Sequence, residues 1–459
     1  MPTYLDVAAV RIQPYIARTP ALRLRRGASW LLSTATAAGD LERLLTGQGL
    51  TATRNRDAGD ADGVVPLVVG QGTERRVAER VMLRLREQLP AVELQAVWAT
   101  AGSYLEAYPA LAAQRTRPLV AVPAPVDFPL GTTCEWCRVD LRTAGGTMCA
   151  DCSARDRAAG RRASATGPAA EGEDASATER AVLDGVNTAL STGLTPVRHL
   201  TDLARLGAAG GNRNHVATVA LDGNGMGAFF AALAGSGDAD LKRRISPAIS
   251  AATRAALVTA TAGIVRPGDR RLPVIAHVVG GDDVVVSLVA DRAWNFVAAF
   301  QRAFTAELAR VTLPGGIRDR APSMSAGVVF AHHKFPYARA VLLADDMLRK
   351  AKRDTRGAEP AVCWLDVTED GETAPPWRRA FTSGELADHA KAIESIAALG
   401  NTGRQVLQRL LATGTREEAT AAVLGWARRG GHAELRRLTG HLDIDELRGL
   451  AAYTRWWRP

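Results

Sequence analysis

Long apolar runs, cysteine and lysine are all scarce in this sequence. No stretch approaches the roughly 18 uninterrupted apolar residues that a membrane-spanning helix requires. Residues 1–13 also lack the basic flank and the long apolar run of a secretory signal. We therefore predict a cytoplasmic protein that does not enter a membrane. With 459 residues, 47% of them hydrophobic, the chain is long enough for about three domains with cores of their own.

The scarcity of lysine makes the few lysine positions informative. The net charge of +9 and the pI of about 9.7 are compatible with polyanionic partners or nucleotide substrates. Only five of the 57 basic residues are lysine, and three of the five, Lys334, Lys350 and Lys352, lie close together. Because lysine is a common phosphate-binding residue, these three are candidates to neutralise a triphosphate. The alternative for each of them is a solvated surface lysine.

Four of the five cysteines form one compact pattern, Cys134-x2-Cys137-x11-Cys149-x2-Cys152. Two Cys-x-x-Cys pairs at this spacing are typical of a tetrahedral zinc site, which is preferred to disulfides in a reducing compartment. Four thiolates leave no coordination position open, so the predicted role is structural. A redox role would need one reactive Cys-x-x-Cys pair and does not explain the second.

An acidic hairpin is predicted at 273–290, where two apolar runs of β type flank the four residues GGDD. Gly280 and Gly281 supply the backbone freedom that a tight hairpin turn requires. The tip of the hairpin therefore presents two carboxylates, those of Asp282 and Asp283.

The order of elements predicts that a third aspartate meets this hairpin. A β-type run at 216–221 ends in Asp222, and the region from about 212 to 370 is predicted as β-α-α-β-β-α-β-α-β. This is an elaborated ferredoxin-like order with an antiparallel sheet, in which the first strand lies beside one arm of the central hairpin. Since neighbouring strands lie about 4.8 Å apart, we expect Asp222 to lie close to Asp282 and Asp283.

Carboxylates on adjacent strand ends can share two metal ions about 3.5–4 Å apart. We expect Asp222 and Asp282 to bind metal, with the Gly223 carbonyl as a further ligand and Asp283 completing a second site. The alternative is that Asp222 caps a helix and that the Gly-Asp sequence only makes a turn.

The predicted fold class is α+β, a mixed α/β chain with two ferredoxin-like units, a four-cysteine element and a C-terminal helical region. The segment rich in alanine, glycine, serine and glutamate has no apolar period and is predicted to be a flexible linker. The predicted boundaries are 1–128 for the first unit, 129–156 for the zinc element, 157–181 for the linker, 182–372 for the second unit and 373–459 for the helical domain.

Together these motifs resemble the large subunit of type III CRISPR effector complexes, the palm-domain family that makes cyclic oligoadenylates. The resemblance depends on five segments, which occur in the order that the family has them and cover nearly the whole chain. They are the helix SWLLS (29–33), the four-cysteine element, the turn DGNGMG (222–227), the hairpin GGDD (280–283) and the run SAGVVFAHHKFP (325–336).

The resemblance implies that both ferredoxin-like units are palm domains, the second catalytic and the first degenerate. The second palm would join ATP molecules with Mg²⁺ or Mn²⁺, releasing pyrophosphate and forming a cyclic oligoadenylate-type second messenger for antiviral defence. The implied partners are ATP, guide RNA and other CRISPR effector subunits. Candidate nucleotide-binding residues are Gly223, Gly280, Gly281, Lys334 and Lys352.

Lys350 and Lys352 are two residues apart on a predicted helix and point about 200° apart, so only one of them can face the nucleotide. Lys352 is favoured, because related cyclases place a phosphate-binding lysine at that point of the helix.

Asn224 stands where the family has a second acidic residue. We expect the site to tolerate this change, because related cyclases often rely on the first acid and on the backbone carbonyl that follows it. The chain contains no His-Asp dipeptide, which predicts a compact form that lacks the family's HD nuclease domain and has no DNase activity.

Two alternative functions stay open. One is a stand-alone antiviral nucleotide cyclase that works without guide RNA. The other is a non-catalytic scaffold subunit of a CRISPR ribonucleoprotein, which would give no physical reason for three carboxylates to converge.

Overall fold

The structure is a computed structural model in which most of the chain is described. The described residues are 1–36, 38–58, 63–125, 131–165, 177–207, 214–412 and 414–457. No helix among them combines the length and the apolar character that a bilayer crossing requires.

The first α/β unit contains one antiparallel sheet, whose strands have the order β2-β3-β1-β4-β5. The strand at the centre, β1, is buried along most of its length because its apolar residues pack under helices on one face. The elements are β1 (Thr3–Val10), α1 (Ile12–Ala17), α2 (Leu22–Ala35), α3 (Ala38–Gly47), β2 (Ala52–Arg54), β3 (Val64–Val69), α4 (Glu74–Gln88), β4 (Glu93–Thr100), α5 (Tyr104–Gln114) and β5 (Val120–Val122).

Three helices connect the two α/β units, and they correct the predicted linker. They are α6 (Ala150–Ala165), α7 (Ala177–Leu190) and α8 (Leu200–Arg205). Residues 157–165 and 177–181 are therefore helical rather than linker, and the interval between them lies outside the described residues. Alanine has the highest helix propensity of any residue, which outweighs the lack of an apolar period in this segment.

The second α/β unit contains the predicted elements in the predicted order, together with two short helices and a sixth strand that were not predicted. Its sheet has the strand order β11-β10-β9-β6-β8-β7. Four of its pairings are antiparallel, but β9 and β10 are parallel, which corrects the purely antiparallel prediction. The elements are β6 (His215–Asn224), α9 (Met226–Gly235), α10 (Ala239–Ala262), β7 (Val274–Gly280), β8 (Asp283–Val289), α11 (Ala293–Ala309), α12 (Gly315–Arg318), β9 (Ser323–His332), α13 (Tyr337–Asp354), β10 (Ala361–Asp366), α14 (Val367–Asp370) and β11 (Phe381–Thr382).

The C-terminal region is helical, as the sequence predicted. Its helices are α15 (Ser383–Asp388), α16 (Ala390–Ala398), α17 (Gly400–Leu411), α18 (Arg416–Arg429), α19 (Ala433–His441) and α20 (Ile444–Tyr453). Gly430 and Gly431 separate α18 from α19 as predicted, whereas Gly440 lies within α19 and breaks nothing. Apolar residues of α16 to α20 share one core with the second sheet, which fixes this region against the second unit.

The two α/β units are held together by buried polar contacts as well as by packing. Arg26 on α2 makes two hydrogen bonds to Glu179 on α7, at 2.6 and 2.7 Å, and both residues are buried. Arg25 lies 3.6 Å above the ring of Tyr337 at the start of α13. The helix α5 of the first unit also packs against α9 of the second. These contacts bring the two units against each other around the cavity described below.

Candidate active site between the two units

Asp222 lies on β6 at the point where the neighbouring hairpin ends. The last residues that pair between β6 and β8 are Leu221 and Val284, and β6 continues beyond them beside β9, where Asp222 pairs with Ser325. The strand forms here because its residues VATVAL are buried on both faces of a central strand. Asp222 therefore emerges beside the tip of the β7–β8 hairpin, as predicted.

The hairpin turns on two residues, Gly281 and Asp282, between the paired residues Gly280 and Asp283. Gly281 has a φ of +61°, and a positive φ at the first central residue is where glycine is preferred in type II′ turns. The turn thus places Asp282 at its tip and Asp283 at the first position of β8.

Gly223 lets the hairpin tip approach β6 closely. Its backbone N–H donates a hydrogen bond to Oδ2 of Asp282 at 3.3 Å. A Cβ atom added at Gly223 would lie 2.6 Å from that same oxygen and 2.5 Å from Cγ of Met226. A side chain at this position would therefore displace the Asp282 carboxylate.

The closeness of the three carboxylates shows in their ionisation. Burial, the charge of Asp222 and a hydrogen bond with Asp222 together raise the pKa of Asp282 to about 7. Desolvation, then the charges of Asp222 and Asp282, likewise raise the pKa of Asp283 to about 7, while Lys352 opposes both shifts. Asp283 is more exposed to solvent than Asp282. A cluster of this kind resists ionisation until a cation neutralises it.

Lys352 on α13 contacts the carboxylate cluster directly. Its ammonium group donates hydrogen bonds to Oδ2 of Asp222 and, at 2.8 Å, to the carbonyl oxygen of Gly223. Lys350 is turned away and pairs with Asp354 at 3.0 Å. The structure thus separates the two lysines in the way that helical geometry predicts; the phosphate-binding role of Lys352 stays a prediction.

Lys334 is not part of this cluster, which corrects its prediction as a nucleotide-binding residue. The strand β9 runs antiparallel to β6, so that Asp222 pairs with Ser325 and His215 with His332. Seven residues of strand, roughly 24 Å at about 3.4 Å per residue, therefore separate the position of Asp222 from the end of β9. Lys334 follows that far end and is exposed there.

The donor atoms at this site suit a hard divalent cation. Carboxylate oxygens from Asp222, Asp282 and Asp283 and the carbonyl oxygen of Gly223 are the ligand types that Mg²⁺ and Mn²⁺ prefer. The ammonium of Lys352 already occupies the position of a cation between two of these donors. The three carboxylates do not all lie within 4.8 Å of one another, a criterion that only the four cysteines meet in the described part of the chain.

A cavity of about 390 Å³ opens beside Asp282, with walls from both units. Met226 and Phe230 line it from the second unit, and Tyr108 on α5 and Arg115, the residue that follows α5, line it from the first. The ring centroids of Tyr108 and Phe230 are 6.3 Å apart, so the two units contact each other at the wall of the cavity. Volumes of about 300–1,000 Å³ are typical of small-ligand sites.

The sequence prediction missed the wall that α5 contributes to this cavity. Tyr104, Tyr108 and Arg115 recur at intervals of four and seven residues, which is the spacing of one helix face. That spacing was a usable signal for a polar and aromatic helix surface. It did not indicate that the surface faces the GGDD hairpin, because the contact joins two separate units.

The first unit lacks an aspartate at the position that corresponds to Asp222. In the second unit, Asp222 follows the last residue of β6 that pairs with β8. In the first unit, the last pair between β1 and β3 is Ala8 with Val64, and the next residue is Ala9. An alanine cannot bind metal, which supports the interpretation of the first unit as degenerate.

The central segment of the chain matches one known family. Residues 215–358 match the family model of the Cas10/Cmr2 second palm domain. These residues form a Cas10/Cmr2-type second palm. The predicted resemblance to the large subunit of type III CRISPR complexes is thereby confirmed. No curated protein sequence matched the chain.

Solved structures of Csm1 share the fold along 99% of this chain and 69% of theirs. The Csm1–Csm4 cassette in complex with pppApA has a TM-score of 0.60 and 13% sequence identity. The same cassette in complex with cA4 has a TM-score of 0.57 and 14% identity, and Csm1 in T. onnurineus has 0.58 and 12%. At these identities the similarity establishes the fold: two palm-like units, a cysteine element and a helical C-terminal region.

The four cysteines of the element that follows the first palm form a second candidate metal centre. All four are buried, and their sulfur atoms lie within 4.8 Å of one another. Sγ of Cys137 and Sγ of Cys149 are 3.8 Å apart, which is the separation that two tetrahedral Zn–S bonds of about 2.3 Å give. The hydrogen bond with Cys137 raises the pKa of Cys149, and four thiolates this close together repel each other unless a cation lies between them. The residues therefore fit zinc.

The metal-free second palm is expected to lose stability as the pH rises from about 4 to about 7. The pKa of Asp282 is about 7 in the folded protein against an ordinary value of 3.8, so across this interval the folded state binds a proton that the unfolded chain has released. The free energy of unfolding falls with pH wherever the folded state binds more protons.

Since Mg²⁺ binds the ionised carboxylate, it should raise the midpoint of thermal unfolding more at pH 8 than at pH 6. Thermal melts with and without Mg²⁺ at the two pH values measure this difference. Asp282→Asn should remove it, and equal stabilisation at both pH values in the unaltered protein would contradict the role of the carboxylate.

Proposed function

We propose that this protein is a metal-dependent nucleotidyltransferase that converts ATP to a cyclic oligoadenylate-type second messenger with release of pyrophosphate. The observation that carries the proposal is that Asp222, which contacts the Lys352 ammonium, lies against the GGDD tip, and that Gly281 and Asp282 of this tip line a cavity of about 390 Å³. The Csm1–Csm4 structures in complex with pppApA and with cA4 support the same chemistry by similarity of fold.

The reaction joins two nucleotides by one bond exchange. The 3′-hydroxyl oxygen of one ATP attacks the α-phosphorus of another and loses its proton to solvent, a new P–O bond forms, and the bond between the α-phosphorus and the bridging oxygen breaks so that pyrophosphate leaves. Bound Mg²⁺ or Mn²⁺ supplies a lower pKa for the attacking hydroxyl and neutralisation of the leaving pyrophosphate.

The side chains of the second palm hold the reactants for this exchange. Asp222, Asp282 and the Gly223 carbonyl would hold the cation, and Asp283 extends the acidic face along the hairpin. The ammonium of Lys352 is within reach of the same point and can bind the triphosphate. The cavity between the palms excludes bulk water from one side, which strengthens these electrostatic contacts.

The proposed partners are guide RNA and other subunits of a type III CRISPR complex, by analogy with the Csm1–Csm4 cassettes. The fold that this chain shares with Csm1 supports the analogy. Copurifying RNA would favour guided action, and full activity of the RNA-free protein would favour the stand-alone cyclase.

The direct test is incubation of the purified protein with ATP and Mn²⁺, followed by measurement of pyrophosphate and by mass spectrometry of the products. A second incubation with mixed nucleotides identifies the base that is used. We expect pyrophosphate release together with an oligoadenylate product. ATP turnover to ADP and phosphate alone would refute the proposal.

Gly223→Ala is expected to lower pyrophosphate release by about 10²-fold, because a misplacement of about 1 Å at a reacting group has an effect of this size. The new Cβ would lie 2.6 Å from Oδ2 of Asp282 and must push it away. The nearby atoms belong to movable side chains, so the midpoint of thermal unfolding should change little. The matched control is Gly227→Ala, since nothing lies within 4 Å of a Cβ there. Equal activity of the two variants would contradict the close approach.

A further inference from the structure

Lys352 occupies the same two oxygen atoms that the proposed function assigns to a divalent cation. Its ammonium donates to Oδ2 of Asp222 and to the carbonyl oxygen of Gly223, the latter at 2.8 Å. An ammonium group has three donors and no acceptor, and a metal ion at those oxygens would lie within a few ångströms of it with the same sign of charge. The lysine and the metal therefore exclude each other at this position.

We propose that Lys352 is an internal counter-cation that holds the metal-free site and is released by the incoming divalent cation toward the triphosphate of the nucleotide. One side chain then has two successive anionic partners, the Asp222 carboxylate before metal binding and phosphate after it. Metal entry and nucleotide binding are thereby coupled, because the metal ion that takes these two oxygen atoms frees the Lys352 ammonium for the nucleotide. This inference deepens the proposed function and rests on it for the identity of the second partner.

The surroundings of Lys352 allow this exchange. The side chain is 26% exposed and that of Asp222 is 34% exposed, so the ammonium can leave without disturbing a closed core. Arg349, one turn earlier on α13, is already paired with Asp345 and Asp346. Lys352 is the cation that directly contacts Asp222 in the described residues.

The contact between Lys352 and Asp222 also explains how the carboxylates can lie close together without a metal ion. Like charges close together repel each other and weaken the folded state, and the Lys352 ammonium places an opposite charge directly against the Asp222 carboxylate. A lysine serves better here than an arginine, because its compact ammonium has the size of a point charge and its stem is flexible. The chain otherwise uses lysine rarely.

Acetylation of lysine amines, followed by mass spectrometry, measures this exchange without any turnover. Lys350 is the matched internal control: it lies on the same helix, its side chain is also 26% exposed, and it is paired with Asp354 away from the site. Mg²⁺ alone should raise the acetylation rate of Lys352 relative to Lys350 by about threefold or more, since its two hydrogen-bond partners are lost. Mg²⁺ with a non-hydrolysable ATP analogue should lower the rate again.

A second measurement uses Mn²⁺ binding to the full chain in the absence of nucleotide, followed by paramagnetic resonance or calorimetry. Lys352→Met should bind Mn²⁺ about tenfold more tightly than the unaltered protein, because no hydrogen bond to the charged ligand has to be broken first. Lys350→Met should bind as the unaltered protein does. Asp222→Asn should weaken binding in either background.

The inference is overturned if Mn²⁺ binds the unaltered protein while the Lys352 acetylation rate does not move, or if Lys352→Met has unchanged Mn²⁺ affinity. These outcomes differ from failure of the proposed function. If no pyrophosphate is released but Mg²⁺ still exposes Lys352, the exchange stands and the proposed reaction is wrong. If pyrophosphate is released and Lys352 never changes its reactivity, the reaction stands and the exchange is wrong.

Discussion

Replacing Asp282 and Asp283 together by asparagine is expected to lower pyrophosphate release from ATP by a factor of about 10³ or more. The amide has nearly the shape of the carboxylate and its oxygen can still accept the 3.3 Å hydrogen bond from the Gly223 N–H. The turn at Gly281, with its φ of +61°, is unchanged by the substitution. What is lost is the negative charge that holds the divalent cations, so the loss of activity should occur without unfolding.

The control for this double variant is Asp319→Asn, which removes one exposed carboxylate after α12 and should leave both pyrophosphate release and thermal stability unchanged. Calorimetry with Mn²⁺ should show that the double variant has lost metal binding as well as activity. The double variant could be fully folded, bind no Mn²⁺ and still release pyrophosphate at the normal rate. This result would show that the acidic hairpin has no role in the reaction.

The sequence predicts those site residues that lie on neighbouring strands of the second sheet. The apolar runs around Gly280 and Gly281 define a hairpin, and the order of elements fixes β6 as the neighbour of β8. Asp222 then has to emerge beside the hairpin tip, because its position along β6 follows from where the paired run ends. Helical geometry similarly separates Lys350 from Lys352, whichever way α13 faces.

The error at Lys334 has a simple topological cause. A strand end followed by a lysine resembles a phosphate site in sequence, but only the direction of β9 relative to β6 decides at which end of the sheet it lies. The antiparallel pairing of His215 with His332 places Lys334 at the end away from Asp222. The order of elements already implies that β9 is antiparallel to β6, and this direction excludes Lys334 from the site.

The cavity walls from the first palm could not be predicted, because they depend on how two separately folded units pack. The contact between α5 and α9 is set by side chains distant in sequence, and the buried pair of Arg26 and Glu179 joins residues 153 positions apart. No local pattern contains this information. The same reasoning applies to α2, whose sequence predicts a helix but not that it lies between the zinc element and the second palm.

Removing the zinc ligands is expected to destabilise the junction between the palms as well as the zinc element itself. Leu24 on α2 is fully buried among the four cysteines. A Cβ at Gly27 would lie 2.1 Å from the carbonyl oxygen of Arg155, so α2 and α6 are in direct backbone contact. The next residues of the same helix, Arg25 and Arg26, reach Tyr337 and Glu179 on the far side. The cysteine element thus supports the helix that joins the two palms.

The double variant Cys134→Ser/Cys137→Ser should therefore contain no zinc, where the unaltered protein should contain one zinc per chain by elemental analysis. Its free energy of unfolding should fall by several kcal/mol, since structural zinc contributes directly to folding. Hydrogen exchange should increase in α2 and α6 before it increases in the second sheet. The fifth cysteine provides the matched control: Cys363→Ser, in the buried strand β10, should keep its zinc even if it lowers stability. Full zinc content in the double variant, or loss of zinc from Cys363→Ser, would show that other residues bind the zinc. The four-cysteine element would then not stabilise α2 through zinc.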